Sequence, residues 1–383
     1  VSVGINLHKI ATYDQKAFVN GTNTNGIDQY FEYYADGLDF ENLPIYDGET
    51  VSEVYKILGA ENGFGAQQAF LGYQSYIVNP FNFENGNTEY YSNVDYNQVN
   101  HQLSLNNDGW HRKTSFNISG LYRNIFHIGV NINSHNLKFS STQNLLETGQ
   151  SLKSDTYDID FKNTLLTLGD GTSVQIGGIL RLKNIRLGVT YDSPQWLTMI
   201  DETTQGIDTF HFEENSVVNE IINPNITNAY EPYELKIPSK TTLSFAYIFG
   251  SKGIISADYS SQNAGNTILS DQYGSNYLNT VSSRVNSEFG AINTLKIGGE
   301  FRLKDISLRS GILTRSGVYK NSTTNDIALT LGVGIDFGAS NLSLSFINFE
   351  QNKRFELFSE GLTDVYNLTQ KLTQVSVSYN IKL

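Results

Sequence analysis

Five times this chain repeats one device. An alternating apolar strand runs into a tight polar turn, and a second alternating strand runs straight out. The turns are Arg123-Asn124, Lys183-Asn184, Ser251-Lys252, Lys304-Asp305 and Ala339-Ser340. Successive side chains of a strand point to opposite faces, so parity assigns the faces. Phe116, Ile118 and Tyr122 enter the first turn; Phe126, Ile128, Val130 and Ile132 leave it. The other four hairpins repeat the pattern, as in Leu329, Leu331, Val333 and Ile335 against Leu342, Leu344 and Phe346. The partner parity is polar or small and carries Arg181, Arg186, Asp258, Lys296, Glu300, Arg302 and Arg309. A charge facing lipid at mid-bilayer costs about 2–4 kcal/mol, so this sorting predicts a lipid face and a lumen. Longer polar stretches separate one hairpin from the next. Short turns on one side and long loops on the other predict an all-β fold: a transmembrane antiparallel β-barrel with short periplasmic turns and long extracellular loops bearing small helices. The opening Val1, Val3, Ile5, Leu7 and the closing Val375 to Leu383 bring the readable strands to 12. A water-soluble sandwich would have loops of similar length at both ends and shorter strands.

Composition agrees. No run of 18 apolar residues offers a transmembrane helix, and only 17% of residues are charged. The absence of cysteine excludes disulfides and thiolate chemistry. The net charge of −13 concentrates between Tyr13 and Asn97, where the carboxylates from Asp14 to Asp95 face only Lys16 and Lys56. Such a surface repels nucleic acid and reads as a solvated outer loop; no calcium-loop spacing accompanies it. Val1 already stands inside a strand pattern, as expected of a mature chain trimmed at its front.

The chain reads as a single barrel over 1–383 with an extracellular helical lid inserted at 13–97. That stretch is too long for a plain loop. Ile27, Tyr30, Phe31 and Tyr34 repeat at helical spacing over Gly26–Ala35. Val51, Val54, Tyr55 and Leu58 do the same, and Phe64, Phe70, Leu71, Tyr73 and Ile77 follow over Phe64–Val78. Amphipathic helices need an apolar surface, and the barrel mouth is the nearest. Val54, Tyr55, Leu58, Phe70, Leu71, Tyr73 and Ile77 are therefore candidate ligand-binding residues of a lid.

Arg186-Leu187-Gly188-Val189-Thr190-Tyr191-Asp192-Ser193-Pro194-Gln195-Trp196 resembles the RLGxxYxSPxW strand of the FadL-like outer-membrane transporters of hydrophobic compounds, in their Bacteroidetes branch. Gln68–Gln74, Ile306–Gly311 and the closing strand match in style. The resemblance implies a 14-stranded barrel with an N-terminal hatch, ligand capture among loop helices, and lateral exit at a kinked strand. It further implies passive uptake of hydrophobic small molecules such as long-chain fatty acids. The implied hatch and two of the strands do not fall within these residues, as expected of a chain trimmed at its front, and Leu383 stands where the family usually has an aromatic residue.

No catalytic constellation stands out, so no enzyme is expected. His8, His101, His111, His127, His135 and His211 are scattered without metal spacing. Neither a Gly-x-Ser-x-Gly elbow nor a phosphate loop is present, and neither cofactor nor metal is expected. Asp170-Gly171-Thr172 reads as a turn. The lumenal charges read either as mutual ion pairs or as a means of steering an acid headgroup. Pro194 removes a ladder donor and marks a strand end or a kink. The expected setting is the Gram-negative outer membrane, crossed several times. Expected partners are membrane lipids and lipopolysaccharide, a hydrophobic small molecule and other outer-membrane proteins. The alternative function is an accessory or scaffold barrel of a larger complex such as secretion machinery.

Overall fold

The computed structural model describes residues 1–213 and 216–381. Its principal strands are β1 (Ser2–Thr12), β2 (Gln15–Asn23), β3 (Val99–Tyr122), β4 (Phe126–Thr148), β5 (Thr156–Leu182), β6 (Ile185–Asp192), β7 (Gln195–Glu213) and β8 (Ser216–Ile222). They continue as β9 (Tyr233–Ile237), β10 (Lys240–Ile248), β11 (Gly253–Asn263), β12 (Ala291–Leu303), β13 (Ile306–Ser316), β14 (Asn325–Asp336), β15 (Ser340–Glu356) and β16 (Val365–Ile381). All belong to one antiparallel sheet. Three spans are interrupted: β1 with β2, β6 with β7, and β8 through β10. Counting each as one gives 12 spans, each paired with its neighbours in the chain.

Tight turns close one end of the sheet. Arg123, Asn124, Lys183, Gly250, Lys304 and Gly338 all take positive φ there. In the two-residue loops after Leu182 and Leu303 the lysine, rather than the following Asn184 or Asp305, adopts it. That is the requirement of a hairpin whose first loop residue must be left-handed.

The outward parity is apolar and solvent-accessible along the spans: Phe116, Ile118 and Ile132 are exposed, as are Val174, Leu243, Leu331 and Leu344. An apolar surface continuous around so many strands fits lipid, not water. The first and last spans do not pair among the described residues. The first span approaches the last two at the far end, where Asn25 Nδ2 donates to Asp364 Oδ2 just ahead of β16 (3.1 Å) and Lys353 Nζ of β15 to Gln15 Oε1 of β2 (3.1 Å). The sheet thus curls round to a seam rather than closing into a continuous ladder. Lys382 and Leu383, which close the last expected strand, lie outside the described residues.

At the end opposite the turns, β3, β4 and β5 run for 24, 23 and 27 residues, where about 9–11 suffice to cross a bilayer. The stretches expected as loops are therefore largely strand. Asp170-Gly171-Thr172 is the clearest correction: it lies inside β5, paired with Asn136, His135 and Ser134. Gly171 is there for close approach and not for a turn, since a Cβ would collide with the Trp196 carbonyl oxygen.

Between β2 and β3 the chain folds into a cap of α1 (Asp28–Ala35), α2 (Val51–Glu61) and α3 (Phe64–Gln74), followed by a ribbon of Val78–Pro80 with Tyr90–Ser92. A capping box starts α2: Glu53 N donates to Thr50 Oγ1 (3.3 Å) and Thr50 N to Glu53 Oε2 (3.0 Å). Another helix, α4 (Asn276–Glu288), precedes β12 and had no counterpart in the sequence reading. Ser275 caps it, and Arg284 reaches Glu288 (2.9 Å) and Glu356 (2.5 Å).

Candidate functional site

The cap is packed onto one half of the mouth. Ile27, Tyr30 and Phe31 of the α1 region meet Val54, Tyr55 and Leu58 of α2 and Phe70 and Leu71 of α3. Beneath them lie Leu103, Leu145, Ile159, Phe161 and Ile207 from the long strands. Phe161 approaches Phe31 edge-on at 5.3 Å. The lid candidates Val54, Tyr55, Leu58, Phe70, Leu71 and Ile77 are all buried in this cluster, and Tyr73 packs against its edge. Their apolar faces cover one another and the wall.

Polar bonds fix the cap in place. Tyr30 Oη donates to Gln68 Oε1 (3.0 Å), and Gln68 Nε2 to Gln205 Oε1 of β7 (2.7 Å), which also accepts from Tyr55 Oη (2.9 Å). Burial raises the Tyr30 and Tyr55 phenols well above their usual range, so both stay protonated donors. Glu147 of β4 is fully buried. Its Oε2 accepts from Ile27 N (2.7 Å), ahead of α1, and bonds His101 Nε2 (2.8 Å); its Oε1 accepts from Gln150 Nε2 (3.2 Å). The acidic stretch is mostly solvated, with Asp28 the exception. It is buried beside the Tyr96 hydroxyl, which donates to it (2.9 Å), and burial raises its carboxyl.

The other half of the mouth is hollow. A cavity of about 1030 Å³ lies against the inward parity of β10 through β15 and the loop after β13. Lys240, Lys296, Arg315, Lys353 and Arg354 line it, with Asp326, Tyr319, Phe349 and Phe355. None of the lid candidates does. Of the sequence-derived lumenal charges, Lys296 lines this cavity. Glu300 pairs with Arg309 (2.7 Å) and Arg302 (2.5 Å) nearer the turns. Asp258 faces Lys296 in register, and Arg181 faces Arg186. Lys240, Arg315 and Lys353 share the lumenal parity but went unsingled, since they sit at the far strand ends where the apolar alternation fades.

The wall beside this cavity is broken. Asp192 pairs with Lys240 and Gln195 with Ile237, but Ser193-Pro194 and Pro238-Ser239 between them make no ladder contact with each other. Prolines in two adjacent spans remove the donors at one height. Ser193 keeps β5 satisfied across the gap: its N–H donates to Val174 O (2.8 Å) and its Oγ accepts from Val174 N (2.9 Å). Below the break a directed chain of bonds crosses the wall. Asn117 Nδ2 donates to Asn131 Oδ1 (2.5 Å), Asn131 Nδ2 to Gln175 Oε1 (2.5 Å) and Gln175 Nε2 to Asp192 Oδ1 (2.6 Å). Asp192 then lies 3.6 Å from Lys240 Nζ. Sequence spacing also concealed a histidine pair that strand register brings together: His111 Nε2 and His135 Nδ1 are 3.0 Å apart, and His135 Nε2 is 2.8 Å from Ser173 Oγ.

No family model matches the chain, and no curated protein matches it. Several solved structures are similar. A Pseudomonas aeruginosa FadL homologue is 10% identical, with 79% of this chain and 75% of that chain covered at a TM-score of 0.49. The Pseudomonas putida toluene transporter TodX is 14% identical over 75% and 79%, at 0.43. The Ralstonia pickettii toluene transporter TbuX is 10% identical over 78% and 84%, at 0.44. Likeness at this level carries no inference about ligand or mechanism, and the functional reading rests on the chain's own geometry.

Proposed function

We propose that this chain is an outer-membrane β-barrel of a Gram-negative envelope, through which hydrophobic small molecules such as long-chain fatty acids enter passively. One observation carries the reading: a sheet apolar on its outward face encloses a cavity of about 1030 Å³ that abuts a break in the wall. The turns face the periplasm, and the cap faces outward. The outward parity meets membrane lipid and, at its upper margin, lipopolysaccharide. Burying an acyl chain releases about 0.8 kcal/mol per methylene, enough for capture without an energy source. Val54, Tyr55, Leu58, Phe70, Leu71, Tyr73 and Ile77 would meet such a ligand only when the cap lifts from the wall, because at rest they cover one another. The break at Pro194 and Pro238 supplies a side exit from the lumen.

A second reading has an observation of its own. Half of the mouth is filled by a packed cap, as suits an accessory or scaffold barrel that docks other envelope proteins. Purification from the native membrane in mild detergent, with mass spectrometry of everything retained, separates the two. A stoichiometric hydrophobic compound without a protein partner supports uptake. A stoichiometric set of envelope proteins around an empty barrel rejects it in favour of the scaffold.

A further inference from the structure

The interior cavity inverts the charge balance of the chain. The sequence holds 26 Lys and Arg against 39 Asp and Glu, yet five cations line the cavity against the single carboxylate of Asp326. That carboxylate is already engaged, for Asp326 Oδ2 accepts from Arg315 Nε (2.9 Å) and Nη2 (2.6 Å). Lys240 leans on Asp192 of the wall. Among the described residues, Lys353 and Arg354 form no ion pair with a carboxylate, and Lys296 faces Asp258 in register without closing one. Lys353 donates only to the neutral Gln15 amide, and Arg354 lies over the Tyr319 ring at 5.6 Å. Unneutralised cations in a concave space between low-dielectric walls focus a positive field. They also offer charge-assisted donors to an oxyanion.

The rest of the lining narrows the ligand further. Phe349, Phe355 and Tyr319 present rings, whereas the aliphatic side chains are limited to Ile292, Leu313 and Val318 among many hydroxyl and amide groups. Rings packed on rings retain their contacts beside polar neighbours. Three aliphatic side chains offer an extended alkyl chain little of the flat contact that three rings offer a ring. The volume is that of a site for a drug-sized molecule.

We propose that the cavity is an organic-anion site that prefers ring-bearing acids. Lys353 sets the charge preference near the cap and Lys296 extends it toward the turns, while Arg354, of the opposite parity on β15, adds to it only at the rim beside Tyr319. The inference rests on the uptake reading, because it takes the cavity as the ligand's path, and it narrows the hydrophobic ligand of that reading to ring-bearing acids in place of long-chain fatty acids.

The test uses the full chain in lipid nanodiscs and equilibrium dialysis with 1-naphthaleneacetate, its neutral amide 1-naphthaleneacetamide, and decanoate. The acid should bind about tenfold or more tighter than the amide, as one charge-assisted bond supplies. Decanoate should bind more weakly than the ring-bearing acid. Lys353→Gln with Arg354→Gln should remove most of the preference by weakening the acid and leaving the amide unchanged. Lys296→Gln, on another strand, gives a smaller loss of the same kind and serves if the double variant fails to fold. Acid and amide binding alike would overturn the charge inference and leave hydrophobic uptake standing. Decanoate binding as tightly as the naphthyl acid would overturn the ring preference. Binding of none of the three would overturn both the site and the path.

Discussion

Glu147→Ala should detach the cap from the barrel. The carboxylate is the acceptor for the Ile27 N–H and the partner of the His101 ring, and all three groups are buried. Alanine leaves the two buried donors, Ile27 N–H and the His101 ring, without an acceptor, along with the half-buried Gln150 amide. A buried unsatisfied donor costs about 1–3 kcal/mol, so two cost about 2–6 kcal/mol. Taking about 3 kcal/mol as the working value, at about 1.4 kcal/mol per factor of ten, the cap should open about 100-fold more often. Hydrogen exchange reads this directly. Amides of α1 should lose protection by about two orders of magnitude, while those of β13 and β14, far from the cap, stay as in the parent. Glu147→Gln should be milder, because its carbonyl can still accept from Ile27. Unchanged exchange of α1 in the alanine variant would refute the claim that this carboxylate secures the cap.

Other consequences follow from the same contacts. Gly72→Ala brings a Cβ to 2.6 Å from Phe31 Cβ, so overpacking should cost the cap about 1–3 kcal/mol, read as lower exchange protection of α1 and α3 with β13 unaffected. Phe70→Asp should melt the cap rather than merely block a ligand, since Phe70 is fully buried; far-UV circular dichroism should lose helix and keep strand. Burial raises Asp28, so its ionised form destabilises the cap above that raised value, and the folded state gains stability as pH falls through it toward the ordinary value of 3.8. The difference in cap protection between the parent and Asp28→Asn should therefore shrink as pH falls across that window, with the variant no less protected near neutrality. A difference that stays constant would show that Asp28 does not titrate in the cap. Pro194→Ala with Pro238→Ala restores two ladder donors at the break and should slow release of a lumenal ligand; an unchanged release rate would remove the break from the exit route.

Parity along the five hairpins was readable because lipid penalises every polar outward residue. Ile132 and Leu331 thus announce their face, and the turns beside them fall where polarity interrupts the alternation. The same logic explains where the reading stopped. From Ser134 to Thr148 one face of β4 meets water and the other the cap or lumen, so both are mixed and a strand looks like a loop. The helical stripes of α1, α2 and α3 were legible, but a stripe says only that a face is buried. It could not say that α1 and the wall are what cover Phe70 and Tyr55. Lys353 has the same lumenal parity as Arg309, yet its partner Gln15 lies at the other end of the chain. The Glu147–Ile27 bond joins residues 120 apart, and no local pattern encodes it. Such contacts follow from register across many strands, which periodicity within one strand does not contain.

A conducting interior within a membrane barrel is read out by flux into reconstituted liposomes. Protein-containing vesicles should take up a radiolabelled hydrophobic compound down its gradient, faster than protein-free vesicles and without an energy source. Ser260→Trp with Thr294→Trp, two residues lining the cavity, should reduce that excess by filling it. Uptake no faster than through protein-free vesicles, with the barrel folded and inserted, would contradict the account.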